Sequence, residues 1–401
     1  MVDSTSRAAA TRPVRLRAIA REWGRIGCLG FGGPPAHITM LRDLCVRRRG
    51  WIDEADFEDR IAATNLLPGP ASTQFAIYTA WRLRGTAGAL VGGCCFIAPG
   101  LALILVLAAV FRPPAPPGGA RGAAPGGGGA VAAGAVHAAT GVIPASWARA
   151  GDGRAARARW MAYAAVGVAS SAVLGPWLVA VLIGAGLLEV ALRSGSARGE
   201  LGPGGSGRGR VTAWPVAAGT AMATGGLGAL AWVAFKVGAL SYGGGFVIIP
   251  LMQADAVDRY GWMSGAQFLN AVALGQITPG PVVQTVAVVG YAAAGLPGGL
   301  LAAAVAFAPS FAFVLAGGRH FDRLRADPRV QAFFTGAGPA VIGAIAGSAI
   351  PLAHALHHLW QFGVLAAAAL WLLAARRGVV STLLGAGLLG VLAVAAGWPA
   401  G

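Results

Sequence analysis

The fold is decided by a glycine-rich stretch that occurs twice in the chain. Ile26-Gly27-Cys28-Leu29-Gly30-Phe31-Gly32-Gly33 lines up with Val237-Gly238-Ala239-Leu240-Ser241-Tyr242-Gly243-Gly244 at an offset of 211 residues. The same offset pairs Pro68-Gly69-Pro70 with Pro279-Gly280-Pro281. A constant spacing that matches both glycine and proline indicates an internal duplication.

The composition predicts that both copies lie in a membrane. Hydrophobic residues make up 56% of the 401 residues and charged residues only 11%, whereas soluble domains carry roughly 25% charged residues. Apolar runs such as Ala87–Phe111, Ala213–Phe235 and Gly298–Gly317 approach or exceed the ~20 residues that a spanning helix needs. We therefore expect an all-α integral membrane protein in contact with the lipid bilayer.

The net charge of +16 does not indicate a nucleic-acid partner. The arginines lie in short loops between apolar segments, which is typical of loops that face the cytoplasm. The four cysteines have no metal-ligand spacing with histidine, and no metal or cofactor is predicted. The chain has no Walker motif, which argues against ATP-driven transport within it.

Arginine counts predict that the two halves lie in opposite orientations. Residues 42–60 carry five arginines and the equivalent residues 253–271 carry one. The bias reverses further on, with four arginines in 319–329 and two in 112–129. Because basic loops face the cytoplasm, these counts favour two inverted-topology repeats, the architecture of many secondary transporters.

The same counts place basic loops at both ends of Gly24–Leu41 and Ile61–Trp81, so each of these segments is expected to dip into the membrane and return. With the equivalent dips of the second half, the sequence predicts about thirteen membrane segments, some of them re-entrant or broken. The Pro- and Gly-rich residues 112–129 are interpreted as a loop insertion. The predicted divisions are a cytoplasmic tail 1–21, a first repeat 22–193, a Gly/Ser/Arg linker 194–210 and a second repeat 211–401.

Four Gly/Pro clusters are the candidate substrate-binding site. Glycine lets backbone amides approach a ligand, and proline suits the first turn of a half-helix whose positive end attracts an anion. Neutral polar side chains beside them cost less to bury than charges. The clusters from both halves would form one central anion site near the midplane, although close helix packing alone could also explain the glycines. The candidate residues are Gly32, Gly33, Pro34 and His37; Asn65, Pro68, Gly69, Pro70, Ser72, Thr73 and Gln74; Lys236, Ser241, Tyr242, Gly243, Gly244 and Gly245; and Gln276, Thr278, Pro279, Gly280, Pro281 and Gln284.

The ionisable candidates leave alternatives open. Lys236, with Arg25 at the equivalent place, could neutralise an anion or extend towards the membrane surface. His37 could carry a proton or serve as a hydrogen-bonded structural residue. Glu189 is a weaker candidate for proton coupling.

At these clusters the sequence closely resembles the chromate ion transporter family, in its two-domain form. The resemblance implies export of chromate from the bacterial cytoplasm across the inner membrane, driven by the membrane potential or a proton gradient. Two residues depart from the pattern: Arg25 stands where lysine is common, and Asn65 where glutamine is common. The resemblance rests on Gly27–Pro34 with Ala36-His37-Ile38, Leu67–Gln74, Phe235–Gly238 with Ser241–Gly245, and Gly275–Pro281.

Two other functions stay open at this point. A site lined by amides would also accept sulfate, which matches chromate in charge and nearly in shape. A membrane enzyme or lipid carrier with re-entrant hairpins would need a catalytic pair or a recurrent membrane acid, and neither pattern is found in the sequence. We therefore predict a transporter rather than an enzyme, with chromate or sulfate as its partner and a homodimer as one open assembly state.

Overall fold

The computed structural model describes residues 14–64, 69–111, 122–173, 178–199, 226–241, 248–317 and 326–399. These residues contain helices and no β-strand. The helices of the first half are α1 (Leu16–Leu29), α2 (Pro34–Arg42), a π-helical continuation Asp43–Arg48, α3 (Glu54–Thr64), α4 (Ala71–Phe111), α5 (Ala123–Ala150), α6 (Arg154–Val173) and α7 (Leu178–Gly199).

The second half starts several of its helices 211 positions after those of the first. The helices of the second half are α8 (Leu227–Leu240), α9 (Ile248–Gln253), a π-helical continuation Ala254–Arg259, α10 (Gly265–Ile277), a 3₁₀ turn Val282–Gln284, α11 (Thr285–Gly317), α12 (Pro328–Gly347), α13 (Ala349–His354), α14 (Leu359–Ala369), a π-helical continuation Leu370–Ala374 and α15 (Val379–Ala395).

The two halves repeat each other in backbone detail. Helices α1 and α8 each have 14 residues, and their first residues are 211 positions apart. Helix α4 bends at Gly85, with φ of 59°, and helix α11 bends at Gly295, with φ of 64°. The turns at Gly50 and Gly261 have φ of 57° and 60°. The repeated sequence motifs thus correspond to repeated local structure.

The lengths of the helices and the apolar side chains on their outer surface are those of a membrane protein. Four apolar stretches, within Ala71–Phe111, Gly126–Ala150, Val282–Gly317 and Pro328–His354, are long and apolar enough to span a bilayer. Large apolar side chains are exposed on the outer helices, including Leu187 and Leu388, which are 58% and 59% exposed. The prediction of an all-α membrane protein is confirmed, whereas the count of thirteen segments and the inverted orientation stay predictions.

The long helix after each kinked helix packs into the opposite half. Helix α5 packs mainly against α14 and α15, and helix α12 packs mainly against α6 and α7. Glycines allow this close approach, since a Cβ on Gly126 would overlap the Ala386 carbonyl oxygen and a Cβ on Gly343 would overlap that of Ala164. The halves therefore exchange one helix each.

The interpretation of residues 112–129 as a loop insertion is wrong for its second part. Helix α5 begins at Ala123 and includes Gly126 to Gly129, while residues 112–121 lie outside the described part of the chain. Glycine runs favour loops in water, but in a membrane they let helices pack backbone to backbone. Gly129 shows this, because its Cβ would lie 2.9 Å from the carbonyl oxygen of Gln361 on α14.

The predicted tail 1–21 also differs from the structure at its end. Helix α1 already begins at Leu16, because its residues alternate at helical spacing between a buried and an exposed face. Ile19 and Trp23 are fully buried, while Arg17 and Arg21 are exposed. Two of the charges that suggested a tail, Arg17 and Arg21, therefore belong to the outer face of an amphipathic helix.

Glu189 on α7 is held by three donors rather than standing free. Its carboxylate accepts hydrogen bonds from Arg159 Nε at 3.0 Å, Arg193 Nε at 2.8 Å and the Tyr163 hydroxyl at 3.1 Å. The Glu189 side chain is only 2% exposed. These bonds join α6 to α7, the pair of helices on which α12 packs.

We expect Glu189→Gln to lower the stability of the protein in detergent by about 2 kcal/mol, because both arginines lose a charged acceptor and one amide group cannot replace it. A thermal melt, in which size-exclusion chromatography measures the protein that stays folded, reports this loss. Asp152→Asn is the matched control, since Asp152 pairs with Arg157 at 2.7 Å but is fully exposed. An unchanged melt for Glu189→Gln would contradict this structural role.

Candidate functional site

The first Gly/Pro cluster is a break between two helices. Helix α1 ends at Leu29, and α2 begins at Pro34 with Gly33 before it. Gly32 and Gly33 have φ of 97° and 73°, a region that strongly favours glycine. Proline at the first position of α2 loses no hydrogen bond, because that N–H has no acceptor within a helix.

The buried side chain of His37, on α2, contacts the backbone at the end of α1. That side chain is fully buried, and its Nε2 lies 2.9 Å from the carbonyl oxygen of Gly30. Because a carbonyl oxygen only accepts, Nε2 carries the proton, and in the neutral ring Nδ1 is an acceptor. The ring also packs edge-on against Phe96 on α4, with centroids 4.9 Å apart.

The Pro-Gly-Pro break of the second half contacts the first cluster directly. Helix α10 ends at Ile277, and the Thr278 N–H and hydroxyl both donate to the Leu274 carbonyl oxygen. Gly280, with φ of 100°, then donates its N–H to the Gly30 carbonyl oxygen at 3.0 Å. That oxygen therefore accepts from His37 in one half and from Gly280 in the other.

The loop Pro279-Gly280-Pro281 also closes against α4. A Cβ on Gly100 would overlap the Pro279 carbonyl oxygen, so only glycine allows this approach. Gln284, which follows the loop, is fully buried and donates from Nε2 to the Ile97 carbonyl oxygen at 2.9 Å. The second half's break is thus fixed to a helix of the first half.

The Pro-Gly-Pro cluster of the first half has a similar local arrangement. Gly69 has φ of 127°, and the amide of Gln74 packs against it as that of Gln284 packs against Gly280. The position of a Cβ on Gly69 lies 3.5 Å from the Gly238 carbonyl oxygen on α8. Each Pro-Gly-Pro cluster therefore lies beside an element of the other half.

Neutral polar side chains are buried around these breaks. Ser72, Thr73, Gln74, Ser241 and Thr278 are each at most 3% exposed. Several buried polar atoms have no hydrogen-bond partner within the described residues, and leaving such an atom unpaired costs about 1–3 kcal/mol. Unpaired atoms of this kind call for a specific explanation, and functional sites are one of them. They are Thr73 Oγ1, Ser241 Oγ, Gln276 Nε2, Gln284 Oε1, Ser310 Oγ and His37 Nδ1.

Lys236 has a partner that the sequence did not reveal. Its ammonium nitrogen lies 2.5 Å from Asp255 Oδ2 and 5.9 Å from the ring centre of Trp232. The Asp255 side chain is 2% exposed and that of Lys236 is 15% exposed. The charge of Lys236 is therefore balanced within the protein. The repeat gave no signal for this pair, because the position equivalent to Asp255 is Leu44.

Two of the four predicted clusters lie partly outside the described residues. Sequence reasoning also missed Gly30, Gly100 and Ser310. Ser310 follows Pro309 in α11 as Gly100 follows Pro99 in α4, so the repeat alignment held the signal for both residues. The candidates outside the described part are Asn65, Pro68, Tyr242, Gly243, Gly244 and Gly245.

Comparison with known proteins agrees with the internal repeat. The model of the chromate transporter family matches twice, over residues 17–190 and 228–391. The chain belongs to the chromate transporter family. Both matched ranges contain the Gly/Pro breaks described above.

Relatives of this chromate transporter family member extend over most of its length. The chromate transport protein of Cupriavidus metallidurans is 30% identical over 84% of this chain and 82% of its own. The probable chromate transport protein of Synechococcus elongatus is 27% identical over 92% of this chain and 94% of its own. The chromate transport protein of Pseudomonas aeruginosa is 29% identical over 82% of this chain and 79% of its own. No solved structure matches the chain.

Proposed function

We propose that this chromate transporter family member exports the chromate dianion from the bacterial cytoplasm across the inner membrane, driven by the membrane potential or a proton gradient. The anion is held where the broken helices of both repeats meet, and the two repeats lie in opposite orientations. The observation that carries this proposal is the Gly30–Gly280 hydrogen bond, which brings a Gly/Pro break of each half to one point.

The chemistry of the buried polar groups suits a tetrahedral oxyanion. The hydroxyl groups of Thr73, Ser241 and Ser310 and the amide group of Gln276 are buried donors without a partner in the described residues. Neutral donors can bind a dianion and release it again, whereas a buried arginine would hold it tightly. We assign the contacts that hold the substrate to these groups and to backbone amides at the start of α4.

The membrane potential favours export of a dianion. Each elementary charge that crosses 100 mV is worth about 2.3 kcal/mol, so expulsion of a dianion from a negative interior gains roughly twice that energy. This driving force needs no ATP. The relatives named as chromate transport proteins support chromate as substrate, and sulfate is the alternative that the same geometry would accept.

Purified protein in liposomes tests the substrate and the driving force together. With a potassium diffusion potential of about 60 mV, positive inside, an uncoupled dianion carrier should accumulate chromate about a hundredfold at equilibrium. Accumulation of about tenfold would indicate that one positive charge moves with the dianion. Accumulation that does not respond to voltage would contradict a potential-driven mechanism.

The same liposomes compare the two candidate anions. If both anions share one site, excess sulfate should reduce chromate uptake. If they do not, chromate uptake should be unchanged. Liposomes that carry sulfate but no chromate would contradict the chromate assignment. Protein-free liposomes are the control for leakage.

A further inference from the structure

A cavity beside α2 has Arg42 and Arg47 at one end, and at the other Pro34 and Pro35, which follow the first Gly/Pro break. Its volume is about 460 Å³. The lining residues that belong to α2 recur at a spacing of four and form one stripe along the helix, and Arg47 belongs to the π-helical continuation. The full set of lining residues is Pro34, Pro35, Ile38, Thr39, Arg42 and Arg47.

Arg47 differs from its neighbouring arginines because it has no carboxylate partner among the described residues. Arg48 pairs with Asp43 at 3.6 Å, and Arg49 pairs with Glu22 at 2.8 Å. Arg42, the other arginine of the cavity, is held by Glu58 and by Glu54. The positive charge of Arg47 is therefore the one that remains available to an anion in the cavity.

The far end of the cavity reaches the junction of the two halves. Pro34 and Pro35 form the first turn of α2, directly after Gly33. The Cβ position of Gly33 lies 4.0 Å from Val282 Cγ2, and Val282 follows Pro281. The nine residues of α2 therefore separate the arginine end of the cavity from the break that contacts Gly280.

The second half lacks this arrangement of charge. At the offset of 211 residues, Arg42 corresponds to Gln253 and Arg47 corresponds to Asp258. Asp258 is exposed, and it forms no ion pair within the described residues. At these two positions the second half therefore carries no positive charge, and Asp258 adds a negative charge that disfavours an anion.

We propose that the cavity lined by Arg42 and Arg47 is an entry site for the substrate oxyanion, and that Arg47 recruits the anion from the cytoplasmic side. The proposal rests on the proposed transport function. Basic loops face the cytoplasm, so the attractive entrance opens on the side from which export begins. With inverted repeats, Asp258 faces the other side and disfavours return of the anion.

Transport kinetics in liposomes of zwitterionic lipid test this role. Protein molecules in one orientation are selected by blocking the other with an impermeant thiol reagent on an engineered cysteine, in a protein whose exposed Cys28 and Cys94 are replaced by alanine. For loading from the arginine side, we expect Arg47→Gln to raise the KM for chromate about 3- to 10-fold and to leave the maximal rate within twofold. The increase should shrink at high salt, because screening weakens the attraction of the wild-type arginine.

Arg48→Gln is the matched control, since Arg48 is adjacent, exposed and already paired with Asp43. Its KM should stay within twofold of the wild-type value. In the opposite direction, Asp258→Asn should lower the KM for chromate, and Arg47→Gln should not change it.

The outcomes separate this proposal from the transport function itself. Wild-type protein that carries neither chromate nor sulfate would overturn the proposed function. Active wild-type protein with an unchanged KM in Arg47→Gln would overturn only the entry site. An effect of Arg47→Gln that appears with anionic lipid and is absent in zwitterionic liposomes would show that Arg47 binds a lipid phosphate instead.

Discussion

Gly280→Ala is expected to reduce chromate transport at least about tenfold while the protein still inserts in the membrane. Gly280 has φ of 100°, where a residue with a Cβ is strained by about 1–3 kcal/mol. The new Cβ would also lie 3.1 Å from the Gln284 amide nitrogen. The loop would have to shift, and the hydrogen bond from Gly280 to Gly30 would be lost with it.

The measurement is initial chromate uptake into liposomes at equal amounts of inserted protein. Gly261→Ala is the matched control, because Gly261 also has positive φ, at 60°, but a Cβ there meets no atom within 4 Å. That variant should transport within twofold of wild type. Normal transport by Gly280→Ala would show that the break serves packing only and that the anion binds elsewhere.

The second large effect concerns Lys236 and Asp255. Replacing Lys236 with Gln should destabilise the protein by about 3–5 kcal/mol, because the nearly buried carboxylate of Asp255 would lose its counter-ion. Asp255→Asn should destabilise it less, since Lys236 is more exposed and retains the Trp232 ring. Thermal melting in detergent measures both changes.

The double variant Lys236→Gln with Asp255→Asn separates stability from function. Because this variant removes both charges together, its melting temperature should return most of the way to that of wild type. Transport by this variant then reports whether the Lys236 charge is needed by the anion. A double variant that is as unstable as Lys236→Gln alone would contradict a simple ion pair.

The sequence predicted the helix breaks well because their chemistry is local. At Gly33-Pro34 and Gly280-Pro281 a proline follows a glycine of positive φ, a combination that interrupts helical structure. The structure has breaks at both places, and the matching positive φ angles of Gly69 and Gly280 agree with the repeat. The membrane location also follows from composition alone, because so few charges cannot cover a water-facing surface.

Other features depend on contacts between distant residues, and the sequence could not supply them. The Lys236–Asp255 pair has no counterpart in the first half, so the repeat did not indicate it. Gly126 and Gly129 pack closely against carbonyl oxygens of α15 and α14, more than 230 residues away. Local composition alone favoured a loop at these residues.

The exchange of α5 and α12 has a consequence for how the protein is made. When α5 leaves the ribosome, its main partners, α14 and α15, have not yet been synthesised, so its glycine-lined face has no helix to cover it. Assembly of the first half must therefore stay unfinished until translation ends. Two half-length chains made separately should recover a native fold only when both are present, each donating one helix to the other.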